Sequence, residues 1–406
     1  MDYQIYTLPN GLRIIHKPDV SNVSYCGLFV NAGTRDEHAD EYGMAHFVEH
    51  MLFKGTTKRK YHHIINRMES VGGDLNAYTN KEETVIYTTF LEPHFERALE
   101  LLSDLVFHSE FPQKEMDKEI EVVIDEIHSY EDSPSELIYD EFENLVFAGS
   151  QLGHNILGNA KQIKKLTSPK VKAFVNRLYH PNNIVFFSNG KTDFKKIVRL
   201  AEKYLSGIPQ AETAQSRIDA ETVLPEHLLI KKKTSQIHAI IGGRGYEIKN
   251  PKRKAFHLLN NILGGPGMNS RLNIELREKH GYVYNVESSA TTYTDTGLFT
   301  VYFGTDKRNK DKCIELIYKE LKKLRDTQLT TSQLNAAKKQ LIGQIGISSD
   351  NRENITLSMG KTFFHYGRID SFEETFAKIE AVTAKDIREV ANEIFDEKSL
   401  FSLIYH

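Results

Sequence analysis

His46, Glu49 and His50 stand in the pattern H-x-x-E-H. On a helix, residues four apart share a face, with Cβ atoms about 6 Å apart. Two imidazoles so placed can grip one metal ion. Glu49 comes one residue before the second histidine and projects near the same face. It is positioned to take a proton from water rather than to ligate. A catalytic zinc needs a third protein ligand and keeps one position open. Two surface histidines beside a solvated glutamate would give the same pattern, so the third ligand matters. Glu119 and Glu126 lie on one face of a helical stretch at 113–130, two turns apart. Ile120, Val123, Ile124 and Ile127 beside them are apolar, so that helix packs against something. Glu126 falls close to the buried stripe and needs a partner. Either a metal ion or a boundary salt bridge would satisfy it.

The elements that must carry these residues follow from periodicity. Asn10-Gly11 marks a turn between two strands within 6–15, and 23–30 is β-rich. Met44, Phe47, Val48, Met51 and Leu52 recur at helical spacing and predict a helix over 40–53. A second helix at 61–71 ends at Gly72-Gly73. Strands at 75–78 and 84–90 flank a turn at Asn80-Lys81, and helices follow at 93–108, 113–130 and 136–146. This is an α+β pattern, a mostly antiparallel sheet packed with helices.

The whole chain is 406 residues, enough for two or three domains. Apolar residues make up 40% and charged residues 26%, the balance of a soluble protein with real cores. The formal net charge of −3 gives no long-range attraction to nucleic acid or to an acidic membrane surface. Two cysteines, Cys26 and Cys313, exclude a disulfide scaffold. No apolar run approaches the roughly 18 residues of a membrane span. Met1-Asp2-Tyr3-Gln4 has neither the basic nor the apolar region of an export signal, so a cytoplasmic location is expected. His62 and His63 read as surface residues, His154 and His180 as structural, and Lys231-Lys232-Lys233 as a solvated run. Gly264-Gly265-Pro266-Gly267 lacks the Lys-Ser/Thr of a phosphate loop and reads as a flexible connection.

A polar, aperiodic stretch around 209–226 divides the chain into two domains, 1–212 and 213–406. The halves resemble each other. The H-x-x-E-H segment can be laid on Phe256 to Leu263, the strand at 84–90 on 296–303, and the helix starting near Phe111 on that starting near Leu329. His257 then faces His46, but Asn260, Asn261 and Gln344 face Glu49, His50 and Glu126. Metal chemistry is therefore expected in the first domain alone.

These residues resemble the pitrilysin/insulinase family of zinc peptidases, the inverzincins, and most of all the branch that includes the mitochondrial processing peptidase. The matching stretches are Gly43 to Thr56, Leu75-Asn76-Ala77-Tyr78-Thr79, Glu119 with Glu126, Ser270-Arg271-Leu272, and Leu276 to Tyr284. The resemblance implies one Zn2+ per chain held by His46, His50 and Glu126, with Glu49 as general base. It makes Glu119 a carboxylate that orients the site, and Asn76 and Ala77 part of an edge strand that receives the substrate backbone. It gives Arg277 and Tyr284 the task of contacting the substrate and polarising the scissile carbonyl. An ordinary helix-end ion pair and a strand tyrosine are the plain alternative for those two.

The implied function is a zinc endopeptidase acting on peptides or unfolded segments in a closed chamber. This chain supplies two of the family's four domains, so a homodimer is expected, with Arg277 and Tyr284 serving the partner's site. The rival is a non-catalytic scaffold or partner subunit, and an active subunit that needs a different, inactive chain is a third possibility. Manganese or cobalt could replace zinc.

Overall fold

The computed structural model describes residues 3–213 and 215–406. Met1 and Asp2, on which the export reading partly rests, and Ala214 in the polar stretch lie outside the described residues. The chain forms two compact units that are interleaved in sequence. The first comprises the chain as far as His128, then Asn155–Arg217 and Ser349–Asp370; the second comprises Ser129–His154, Ile218–Ser348 and Ser371–His406.

In the first unit, β1 (Gln4–Thr7), β2 (Arg13–Pro18), β3 (Val23–Val30), β4 (Asp74–Thr79), β5 (Thr84–Leu91) and β6 (Ile184–Gly190) form one sheet in the order β1-β2-β6-β3-β5-β4. The pair β2/β6 is parallel and the others are antiparallel. Side chains alternate between faces. Ile15, Phe29, Val85, Val185 and Phe187 meet Met359 and Phe363 of the helix Arg352–Tyr366. Residues of opposite parity, Ile14, Leu28, Ile86 and Phe186, are equally buried. On that side the helix Phe95–His108 packs, with Phe95 edge-on to Phe186.

The second unit repeats the plan. Strands β7 (His227–Ile230), β8 (Ile237–Gly245), β9 (Val283–Thr292), β10 (Gly297–Thr305) and β11 (Phe401–Tyr405) lie in the order β7-β11-β8-β10-β9. This is the order of β2-β6-β3-β5-β4, and the parallel pair β7/β11 falls where β2/β6 does. Ile237, Ala239, Ile241, Phe299, Val301 and Phe303 pack on the helices Arg253–Gly264, Lys310–Asp326 and Ala384–Ile394. Ile240, Leu298, Tyr302, Leu403 and Tyr405 pack on Ile138, Phe142 and Val146 of the helix Pro134–Val146. The duplication read from the sequence is thus present in strand order and pairing sense. Each sheet also takes one covering helix from the opposite half of the chain, an exchange that the sequence reading did not foresee. Among the described residues, no helix is long and apolar enough to cross a membrane.

Two details correct the sequence reading. The first helix spans Met44–Leu52 rather than starting at 40. Gly43 sits at φ 90°, and the buried Glu37 carboxylate accepts the N–H groups of Gly43 (3.0 Å) and Ala45 (2.8 Å), which fixes the start there. The polar stretch carries no helix or strand among its described residues, yet it is anchored: Arg217 pairs with Asp36 at 2.8 Å and Glu82 at 3.6 Å, beside the buried Arg35–Glu82 pair.

Gly360 lets the helix Arg352–Tyr366 approach the sheet. A Cβ at that position would fall 2.7 Å from Phe29 Cβ and 2.8 Å from Phe187 Cδ1. Gly360→Ala should therefore lower unfolding free energy by about 1–3 kcal/mol through overpacking. This would override the roughly 1 kcal/mol that alanine gains over glycine in a helix. Urea unfolding followed by circular dichroism measures it, and an unchanged or raised midpoint contradicts the close approach.

Candidate metal centre

Two helices of the first unit build the site. Helix Met44–Leu52 sets His46 and His50 on one face, with ring centroids 4.7 Å apart. Helix Gln113–Glu131 buries Met116, Ile120, Val123, Ile124 and Ile127, and that packing fixes where Glu119 and Glu126 stand. His46 Nε2 lies 3.7 Å from Glu126 Oε1, and His50 Nε2 lies 3.5 Å from Glu126 Oε2. One ligand atom from each of the three residues falls within 4.8 Å of the others.

This donor set fits zinc. Donors about 2.0–2.1 Å from a tetrahedral ion are about 3.3 Å apart, and atoms that all lie within 4.8 Å of one another can close on such an ion by side-chain rotation. His46 Nδ1 is buried without a hydrogen-bond partner. Burial, and then the neighbouring His50, push the His46 pKa down to about 4, so its ring is neutral and its lone pair available at neutral pH. His50 behaves in the opposite way. Burial alone would lower its pKa, but Glu119 and Glu126 reverse that and raise it to about 9.

His50 Nδ1 is 2.9 Å from Glu119 Oε1, which leaves Nε2 turned towards Glu126. Lys54 Nζ is 2.5 Å from the other oxygen, Glu119 Oε2. Burial pushes the Glu119 carboxyl up, but His50 and Lys54 outweigh it and hold it below the usual range. Hydrogen bonding to His50 does the same for Glu126. Glu49 stays outside the cluster of three. Its Oε2 is buried without a partner; burial raises its pKa, while the Thr79 hydroxyl and His50 pull it back.

Asn76 and Ala77 lie on β4, the outermost strand of the first sheet, against which the helix Met44–Leu52 packs. The exposed Asn76 side chain donates to Asp74 at 2.7 Å. Arg277 and Tyr284 belong to the second unit and lie together, the guanidinium 5.8 Å from the ring centroid. Tyr284 is 85% exposed and lies on β9, the outermost strand of the second sheet.

Two features escaped the sequence reading. One is Lys54, whose only signal was its spacing of four from His50. The other is a cavity of about 600 Å³ in the second unit, where the repeat places the counterpart of the metal site; His257, Asn260, Asn261, Arg277, Leu341 and Ile345 line it. Burial, with Arg253 and Lys254 adding to it, pushes the His257 pKa down to about 4.

Residues 13–160 match the family model described as insulinase (peptidase family M16), and residues 165–341 match that described as the peptidase M16 inactive domain. An "uncharacterized zinc protease" of Rickettsia felis is 34% identical over 99% of this chain and 97% of its own. The "uncharacterized zinc protease YmxG" of Bacillus subtilis is 30% identical over 98% of this chain and 97% of its own. The mitochondrial-processing peptidase subunit beta of Saccharomyces cerevisiae is 29% identical over 95% of this chain and 87% of its own. Among solved structures, a peptidase M16 inactive domain from Pseudomonas fluorescens superposes with a TM-score of 0.92, at 21% identity, over 100% of this chain and 98% of that one. A protease from Helicobacter pylori gives 0.88 at 20% identity, over 100% and 99% of the two chains. These two likenesses show the fold.

With its pKa near 9, His50 carries a proton at neutral pH that a bound cation must displace. Zinc uptake at pH 7 should therefore release about one proton, and apparent affinity should rise roughly tenfold per pH unit until the imidazole titrates. Calorimetry in buffers of different ionisation enthalpy measures the release; affinity flat between pH 6 and 8 would exclude it.

Proposed function

Because the chain belongs to the insulinase family, peptidase M16, we propose that it is a zinc-dependent endopeptidase that cleaves peptides or unfolded polypeptide segments. One observation carries the reading: two imidazoles and the Glu126 carboxylate converge on one point, with Glu49 beside them and outside the set. In this reading His46, His50 and Glu126 hold one Zn2+ per chain. A cation held there would acidify a water and draw electron density from the scissile carbonyl.

The chain's own groups do the rest. The Glu49 carboxylate accepts a proton as the water oxygen bonds to the carbonyl carbon. It returns that proton to the amine nitrogen as the C–N bond breaks. Glu119 fixes the tautomer of His50. The free edge of β4 at Asn76 and Ala77 takes the substrate backbone as an added strand. Residues 1–212 thus supply the metal centre and the base, and 213–406 supply Arg277 and Tyr284 to contact the substrate and help stabilise the developing oxyanion. The working form is a homodimer closed around a chamber, acting in the cytoplasm, in which Arg277 and Tyr284 serve the partner's site. Retention of all three donors and of Glu49 weighs against the rival role of non-catalytic scaffold.

Glu49→Gln should keep zinc and lose turnover by about a hundredfold to ten-thousandfold. Metal analysis alongside cleavage of a quenched peptide library tests both halves of that statement. A variant as active as the native chain would reject Glu49 as base, and a native chain inert towards every peptide would favour the scaffold role. Mixing Glu49→Gln chains with Arg277→Ala chains, under conditions that allow exchange, should rebuild one complete site per mixed dimer. Activity that stays at the level of the separate variants would reject sites shared between chains.

A further inference from the structure

We propose that Lys54 is a positioning residue of the metal centre: it clamps Glu119, and Glu119 aims His50. The inference rests on the reading of His46, His50 and Glu126 as metal ligands. It begins with a spacing. His46, His50 and Lys54 recur every four residues, with Lys54 just beyond the helix Met44–Leu52 and its N–H still bonded to Met51 O at 3.1 Å. The facing helix presents Glu126 and Glu119 in the reverse order. His46 and His50 meet Glu126, and His50 and Lys54 meet Glu119. The two helices are joined by a short antiparallel ladder whose last rung is Lys54.

Glu119 has no freedom left within that ladder. It is 6% exposed, with one oxygen 2.9 Å from His50 Nδ1 and the other 2.5 Å from Lys54 Nζ. Turning the carboxylate breaks one contact or the other. Without Lys54, Oε2 loses its charged partner in a buried setting, and the group gains by swinging towards water. His50 Nδ1 would then lose the acceptor that fixes its ring. Charge points the same way. With a dication bound and both imidazoles neutral, Glu49, Glu119 and Glu126 would carry three negative charges, which the ion and Lys54 together balance.

The test compares Lys54→Met, Lys54→Gln and Lys54→Arg with the native chain. Zinc dissociation constants come from competition with a chelating dye, and thermal unfolding is followed for the metal-free chains. Lys54→Met and Lys54→Gln should weaken zinc by about tenfold or more, the usual cost of losing a group that orients a ligand. Lys54→Arg keeps the charge and reach and should recover most of the loss. Glu119→Gln added to Lys54→Met should cost little further, because the two act through one contact. Zinc held as tightly without the lysine, or strictly additive losses in the double variant, would overturn the proposal. A shift confined to the unfolding temperature of the metal-free chain would overturn it too, because Lys54 would then be merely structural. If the native chain took up no zinc at all, the metal-centre reading itself would fail, which is a distinguishable result.

Discussion

A carboxylate held between two imidazoles needs a positive charge. Glu126 lies 3.5 Å and 3.7 Å from the facing nitrogens of His50 and His46, and a second carboxylate, Glu119, lies 2.9 Å from the far side of the same His50 ring. Without a cation, a proton on His50 serves, which is why that imidazole is driven to a pKa near 9 while its neighbour is driven to about 4. Much of the first unit can be understood as holding two helices where this charge requirement arises. Glu37 pins the start of one helix, and an apolar stripe seats the other. The sheet beneath is buried on both faces. A divalent ion with Lewis acidity meets the same need as the proton and adds chemistry to it.

The parts of this arrangement that follow helical periodicity were legible in the sequence. H-x-x-E-H and the paired glutamates fix which residues share a face, and the apolar neighbours of Glu126 already demanded a partner for it. The parts set by tertiary contact were not. The helix begins at Met44 because a carboxylate seven residues earlier folds back onto Gly43. Lys54 has an ordinary partner type, and its importance depends on which oxygen of Glu119 it reaches. Strand order followed from the repeat only once one sheet was known. The exchanged covering helices were invisible because nothing local distinguishes Pro134–Val146 or Arg352–Tyr366 from helices that stay with their own half.

The duplication separates scaffold from chemistry. The second unit keeps the strand order, the parallel pair and the helix that carries His257. What it lacks is the second imidazole and the carboxylates of the first. Asn260 and Asn261 stand where Glu49 and His50 do, and Asn260 turns its amide to Ser288, bonding that strand's carbonyl at 3.1 Å. His257 keeps its imidazole, but as a half-buried, neutral ring. The space that the ligands would fill remains as a cavity of about 600 Å³ with Leu341 and Ile345 in its wall. The same backbone thus supports a polar, charge-dense centre in one copy and a partly apolar hollow in the other.

The crossed helices set a timetable for a nascent chain. The face of the first sheet that carries Phe29 and Phe187 is closed by Met359 and Phe363, which leave the ribosome long after the last strand of that sheet, Ile184–Gly190. Until then that face stays open to water and to whatever binds exposed apolar surface. His46, His50 and Glu126 have all been synthesised by that stage, but the layer that braces their sheet has not. The scaffold of the candidate metal centre is therefore complete only when translation has passed Tyr366, so a chain that stops before Arg352 lacks a finished first unit.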